Sequence, residues 1–166
     1  IDNDFNLNFL SLNQIESIEI LKGASSSLYG SSASTGVINI KTKKIASGFN
    51  LDLQSSLGSE SNQSSKRGFN LFKNAIQLSK GGEKINTKAY FSNHYTNGMS
   101  AVVGPEVDPF SHTNFGVSIN LKGMNKFNLN AGFDRSYIKL DYDNSFPIED
   151  ADFQLITEMN RFHINP

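Results

Sequence analysis

The densest group of oxygen donors in the sequence is Asp141, Asp143, Glu149, Asp150 and Asp152, which fall within twelve residues and have no Lys or Arg among them. Calcium takes six to eight oxygen ligands, and a carboxylate-rich loop can supply several of them. Asp141, Asp143, Asp150 and Asp152 are therefore candidate calcium ligands. Their spacing is not that of a helix–loop–helix calcium site, and the competing interpretation is an acidic loop facing water. His94, His112 and His163 are far apart and follow no metal-ligand spacing. The absence of Cys removes disulfides and thiolate metal sites. No Ser/His/Asp arrangement, P-loop or dinucleotide glycine pattern is present. Glu16 and Glu19 fall on opposite faces of an expected strand, which rules out a paired acid and base. Nothing here has the residues of an enzyme.

The elements that would hold these residues are strands. Hydrophobic residues make up 37% of the 166, against roughly 45–50% in a typical soluble domain. Disorder predicts few aromatics, yet there are 13 Phe and 5 Tyr. Apolar residues that alternate with polar ones, on strands with one wet face, satisfy both observations. Phe49, Leu51, Leu53 and Leu57 oppose Asn50, Asp52, Gln54 and Ser56. Ile85, Thr87, Ala89 and Phe91 oppose Asn86, Lys88, Tyr90 and Ser92. Phe115, Val117, Ile119 and Leu121 oppose Gly116, Ser118, Asn120 and Lys122. Phe127, Leu129, Ala131 and Phe133 oppose Asn128, Asn130, Gly132 and Asp134. A period of two over such lengths is a strand signal. Phe69 to Ser79 alternates less cleanly, with Asn74 on its apolar side.

The expected connections have a rhythm. Gly58 to Arg67, Asn97 to Asn114 and Leu140 to Asn160 read as long loops; Lys80–Lys84 and Lys122–Lys126 read as tight turns. Transmembrane barrels alternate short periplasmic turns with longer external loops in this way. No stretch approaches the roughly 20 apolar residues of a membrane-spanning helix, and Ile1 to Leu10 lack the basic start and apolar run of a signal peptide. The net charge of −1, with Lys and Arg scattered, argues against a nucleic-acid partner. Composition shifts near Ser47, which divides the chain into 1–46 and 47–166.

The segment before that shift carries an ordered motif: Ile15-Glu16-Ser17-Ile18-Glu19-Ile20-Leu21-Lys22-Gly23, then Ser27-Leu28-Tyr29-Gly30, then Gly36-Val37-Ile38-Asn39-Ile40-Lys41-Thr42-Lys43. Locally it reads as strand, short helical turn over Ala24–Tyr29, and strand. Gly23 and Gly30 let the chain reverse, and Gly36 allows close backbone approach. The motif resembles the closing motif of the plug of TonB-dependent outer-membrane receptors.

That resemblance implies a mainly β chain: 1–46 as the C-terminal part of an α/β plug, and 47–166 as the first five to six strands of a transmembrane antiparallel barrel. An open sheet leaves unpaired backbone at its edges and cannot sit alone in lipid, so the chain is expected to be a fragment. The implied location is the outer membrane of a Gram-negative bacterium. The implied partners are membrane lipid, the TonB complex of the inner membrane, whose contact motif would lie upstream of Ile1, and a scarce large ligand. Gly23 and Ser27-Leu28-Tyr29-Gly30 stand where glycan importers of this family carry other residues. They favour the group that handles iron-siderophores, haem and cobalamin. The acidic stretch from Asp134 to Asp152 is similar to the calcium-binding loops of cobalamin receptors. Lys22 takes the place of a basic residue that, in the family, pairs with carboxylates of the barrel wall; a solvated lysine is the alternative. Glu16 and Glu19 are expected to bond between plug and barrel. From other classes, a passive porin or autotransporter barrel explains the strands without the motif. A secreted carbohydrate-binding sandwich explains neither the loop rhythm nor the outward Phe and Leu rows.

Overall fold

The computed structural model describes residues 14–23, 36–59, 68–98, 107–123, 128–145 and 148–165, with the backbone alone at 143–145, 148–152 and 165. The chain divides into two compact units, Ile1–Lys44 and Ile45–Pro166.

In the first unit, β1 (Ile15–Lys22) pairs antiparallel with β2 (Gly36–Thr42). β-Branched residues favour the pleated backbone, and here they meet across the ladder, Ile18 opposite Ile40 and Ile20 opposite Ile38. The other face sets Glu19 opposite Asn39 and Leu21 opposite Val37. β1 ends where Gly23 takes a φ of 105°, a conformation open to glycine at little cost. A Cβ on Gly36 would lie 2.7 Å from the Leu21 carbonyl oxygen, so this strand start admits no larger residue without a shift. The expected helical turn, with Tyr29 and Gly30, lies outside the described residues.

The second unit is a six-stranded antiparallel meander: β3 (Gly48–Gly58), β4 (Leu71–Gly81), β5 (Ile85–Thr96), β6 (Phe110–Lys122), β7 (Asn128–Ser145) and β8 (Ile148–Asn165). Every strand pairs with its sequence neighbours, and β3 and β8 form the two edges of an open sheet. The tight turn after β4 is closed by the Gly82 amide donating to the Ile85 carbonyl at 3.0 Å. Among the described residues, no large side chain is fully buried.

One expected loop is not a loop. Most of the span expected as a loop, Leu140 to Asn160, is paired strand on β7 and β8, with Leu140 opposite Leu155, Asp141 opposite Gln154 and Tyr142 opposite Phe153. Its Asp, Asn and Pro residues give it the composition of a turn, but cross-strand pairs of this kind stabilise a ladder. The rings of Tyr142 and Phe153 stack with centroids 5.7 Å apart. β7 thus extends to Ser145 and β8 begins at Ile148, and the long separations between successive strands of this sheet are those after β3 and β5.

Because the pleat alternates sides, the register sorts the sheet into two faces. One is apolar. Its rows across the strands include Leu53–Ile76–Phe91–Phe115 and Leu51–Leu78–Ala89–Val117–Phe133–Phe162. Most of these side chains are exposed, Phe162 by 77% and Leu53 by 69%. The margin of the apolar field nearer the long links is not level. It lies at Leu57, Phe72 and Tyr95 on β3 to β5, drops to Phe115 on β6, and drops again to Phe133 and Phe162 on β7 and β8.

Three pairs of polar residues within that face bond to one another. Ser55 donates to Asn74 at 2.8 Å, the Asn93 amide donates to Thr113 at 2.9 Å, and Arg135 donates to Glu158 at 3.1 Å. The interruption at Asn74 is therefore one half of a cross-strand hydrogen bond.

Candidate functional site

The opposite face of the sheet is polar, and its densest contacts gather around Asp134. Residues 90, 116, 134 and 161 stand in one row, on β5, β6, β7 and β8. Position 116 is glycine, so the Tyr90 ring extends across β6. Its hydroxyl donates to Asp134 Oδ1 at 2.6 Å. Arg161 donates to Asp134 Oδ2 from Nη2 at 3.0 Å, and His163 Nδ1 lies 3.7 Å from the same oxygen. Lys88 Nζ stands 5.9 Å from the centre of the Tyr90 ring, within reach of a cation–π attraction. Asp134 is mostly covered, with 19% of its side chain exposed, whereas Arg161 is half exposed.

Two glycines create this cluster by omission. A Cβ at Gly116 would fall 2.5 Å from a Tyr90 ring carbon and 2.6 Å from Asp134 Oδ1; one at Gly132 would fall 2.5 Å from His163 Cε1. An aromatic ring laid over a cross-strand glycine is a known way of fixing register.

The register also brings together two histidines that looked unrelated in sequence. His94 and His112 are directly opposite on β5 and β6, two rows of the same face from the Asp134 row toward the long links. His112 Nε2 lies 2.9 Å from Ser136 Oγ, and Phe110 makes edge contacts with both imidazoles. Tyr142 and Phe153 stack farther toward that end. The polar face therefore grades from charged to imidazole and aromatic groups along the strands.

The plug-like motif residues divide. Glu19 accepts hydrogen bonds from Lys41 and from Asn39, the latter at 3.0 Å, both within the first unit. The Lys41 bond first, then the Asn39 bond and the Lys41 charge, hold its carboxyl below the ordinary carboxylate value. Its carboxylate thus has partners inside the hairpin rather than only those expected across to a barrel. Glu16 sits at a bulge in β1, between Ile15 and Ser17, and both it and Lys22 are exposed. Gly23 and Gly36 act as turn and close-approach residues.

The acidic stretch is placed on the β7–β8 ladder. Asp141 accepts from Gln154 Nε2 at 3.0 Å. The register between Tyr142 and Asn144 is irregular, and the backbone brings Asp143 opposite the segment containing Asp150 and Asp152. The side chains of Asp143, Asp150 and Asp152 lie outside the described residues. Among the described residues, no group of three or more acidic or histidine side chains is arranged to hold a metal.

Tyr90 and Asp134 were both assignable to a polar strand face by alternation alone. Their meeting with Arg161 was not, because it depends on pairings across four strands. No curated protein and no solved structure matches the chain. Residues 1–37 match the family model described as TonB-dependent Receptor Plug Domain, which points to a family of outer-membrane transporters and not to an enzyme family.

Proposed function

We propose that this chain belongs to a TonB-dependent receptor that takes up a scarce, large ligand across the outer membrane: cobalamin, an iron-siderophore or haem. The observation that carries it is the order of two parts, a plug-family match over residues 1–37 followed by a six-stranded meander with one exposed apolar face. A sheet of that kind suits a barrel wall whose apolar face meets lipid and whose polar face lines the lumen. The mutual hydrogen bonding of polar residues on the apolar face supports this, since lipid offers them no other partner. Residues 1–46 would supply the C-terminal part of the plug and 47–166 the first strands of the barrel, with Lys22 set toward acidic groups of the wall. The acidic stretch is ladder rather than loop, so its likeness to cobalamin-receptor loops no longer separates cobalamin from the other two ligand groups. Calcium at Asp141, Asp143, Asp150 and Asp152 remains a proposal about the tip of that ladder.

A porin barrel would account for the sheet but not for the match at 1–37. The test is uptake of labelled cobalamin, ferric siderophore and haem by cells carrying the gene, with and without TonB. Uptake of one ligand that vanishes without TonB supports the proposal. Uptake that persists without TonB identifies a passive pore and overturns it.

A further inference from the structure

The polar face changes character toward the long-link end of its strands. Three rows follow one another there: Lys73–His94–His112–Ile138–Thr157, then Leu71–Thr96–Phe110–Leu140–Leu155, then the stacked pair Tyr142 and Phe153. Successive rows on one face are two residues apart, so the three cover about 14 Å along the strands at roughly 3.4 Å per residue. Leu155, Phe153 and Tyr142 are nearly half exposed, which leaves the patch open on that side. Large apolar side chains gathered on a face otherwise rich in Asn, Ser and charged groups mark a surface that receives a ligand.

Two imidazoles stand at the inner margin of this patch. Cβ atoms directly opposite on antiparallel strands are about 4.5–5.5 Å apart, so one ligand can meet either ring. The Phe110 ring lies 5.3 Å from that of His94 and 6.3 Å from that of His112, and Ser136 Oγ lies 2.9 Å from His112 Nε2. Imidazole suits iron, copper, zinc and nickel. Lys73, exposed and directly opposite His94 on β4, supplies the positive charge of the group.

We propose that this patch seats haem, with one imidazole of the His94–His112 pair on the iron, the ring against Phe110, Leu140 and the Tyr142–Phe153 pair, and a propionate at Lys73. Haem iron accepts an axial histidine, and a flat apolar ring suits an aromatic surface. Imidazoles rooted so close together cannot sandwich a porphyrin, so only one of them ligates. A siderophore surrounds its iron with its own donor atoms and gives an imidazole nothing to bind. Cobalamin's ring is fringed with amides, which these apolar side chains cannot bond. The inference rests on the receptor reading proposed above and selects one of its three ligands.

The complete receptor that contains this sheet is purified in detergent and titrated with haem and with iron-free protoporphyrin, which keeps the ring and propionates but has no metal. The wild type should bind both, and bound haem should show the absorption bands of histidine-ligated iron. The double variant His94→Gln, His112→Gln should lose those bands and bind haem about 10–100-fold more weakly, the range over which metal sites lose affinity when groups around them change. Its binding of iron-free protoporphyrin should be unchanged, which also shows that it folds. Lys73→Gln should weaken both by up to about five-fold, the scale of an exposed ion pair. Unchanged haem binding in the double variant overturns the site, as does equal loss of haem and the iron-free ring, or a wild type that binds neither. The receptor reading fails by a different result: uptake by cells that persists without TonB overturns it, whatever haem does in detergent.

Discussion

The Tyr90 hydroxyl and the Asp134 carboxylate, on strands that are not neighbours, meet at 2.6 Å across the bare backbone of Gly116. Three strands are thereby locked in one register by a residue with no side chain. Gly116→Ala would push a methyl group against both partners and should cost about 1–3 kcal/mol, the usual penalty for overpacking. Tyr90→Phe should cost about the same, since it removes a hydrogen bond to a charged group. The two losses share one contact, so the double variant should fall short of their sum. Denaturant titration of a closed barrel that contains this sheet measures all three, and strict additivity would show that the contact contributes nothing.

The two faces of the sheet should respond differently to the same charge. Val117 is half exposed on the apolar face, and Ser118 follows it on the polar face. In a closed barrel that contains this sheet, Val117→Arg should lose about 2–4 kcal/mol of folding free energy in a bilayer, the cost of a cation near the midplane on a lipid-facing strand. Ser118→Arg should lose much less. Equal losses would mean that the apolar face does not meet lipid.

Glu19 offers a test by pH. Its folded-state pKa lies below the ordinary value because Lys41 and Asn39 bond to the ionised form. A depressed carboxylate contributes stability above its unfolded pKa and loses it as pH falls through the folded value. The loss therefore belongs to the acid range below ordinary Glu titration, and the exposure of the ion pair to solvent keeps it small. Carboxyl NMR should place the Glu19 midpoint below the ordinary Glu value, and Lys41→Met should move it back up.

The β7–β8 ladder makes a fourth expectation. Amides of residues 138–142 and 153–157 that bond across the ladder should resist hydrogen exchange well beyond the rates of an open loop. Phe153→Ala, which removes the ring stacked on Tyr142, should speed exchange there more than at the centre of β6. Loop-like rates in the wild type would restore the simpler view of an acidic loop.

Much of this was legible in the residues. Alternation located the strands beginning near Phe49, Ile85 and Phe115, because a period of two is a property of single strands and needs no partner. Gly36 was readable as a close-approach position because it opens a β-branched run. The end of β7 was not legible: Asp141, Asp143 and Asn144 have the composition of a turn, and only pairing with the strand that follows makes them strand. The Asp134 cluster was hidden for a related reason. Its members are spread from position 88 to 163, and their meeting depends on the registers of three successive hairpins.

The slanting margin of the apolar field has a geometric consequence. From Phe133 on β7 to Leu57 on β3 the margin shifts by six residues along the strands, or about 20 Å at roughly 3.4 Å per residue. Those strands are four spacings apart, about 19 Å. If the margin is level with the membrane surface, the strands lean about 45° from the bilayer normal, within the range of spanning barrels. The pattern of greasy side chains would then be a built-in clinometer: it records the inclination at which this sheet would stand in a membrane, although the sheet itself is open.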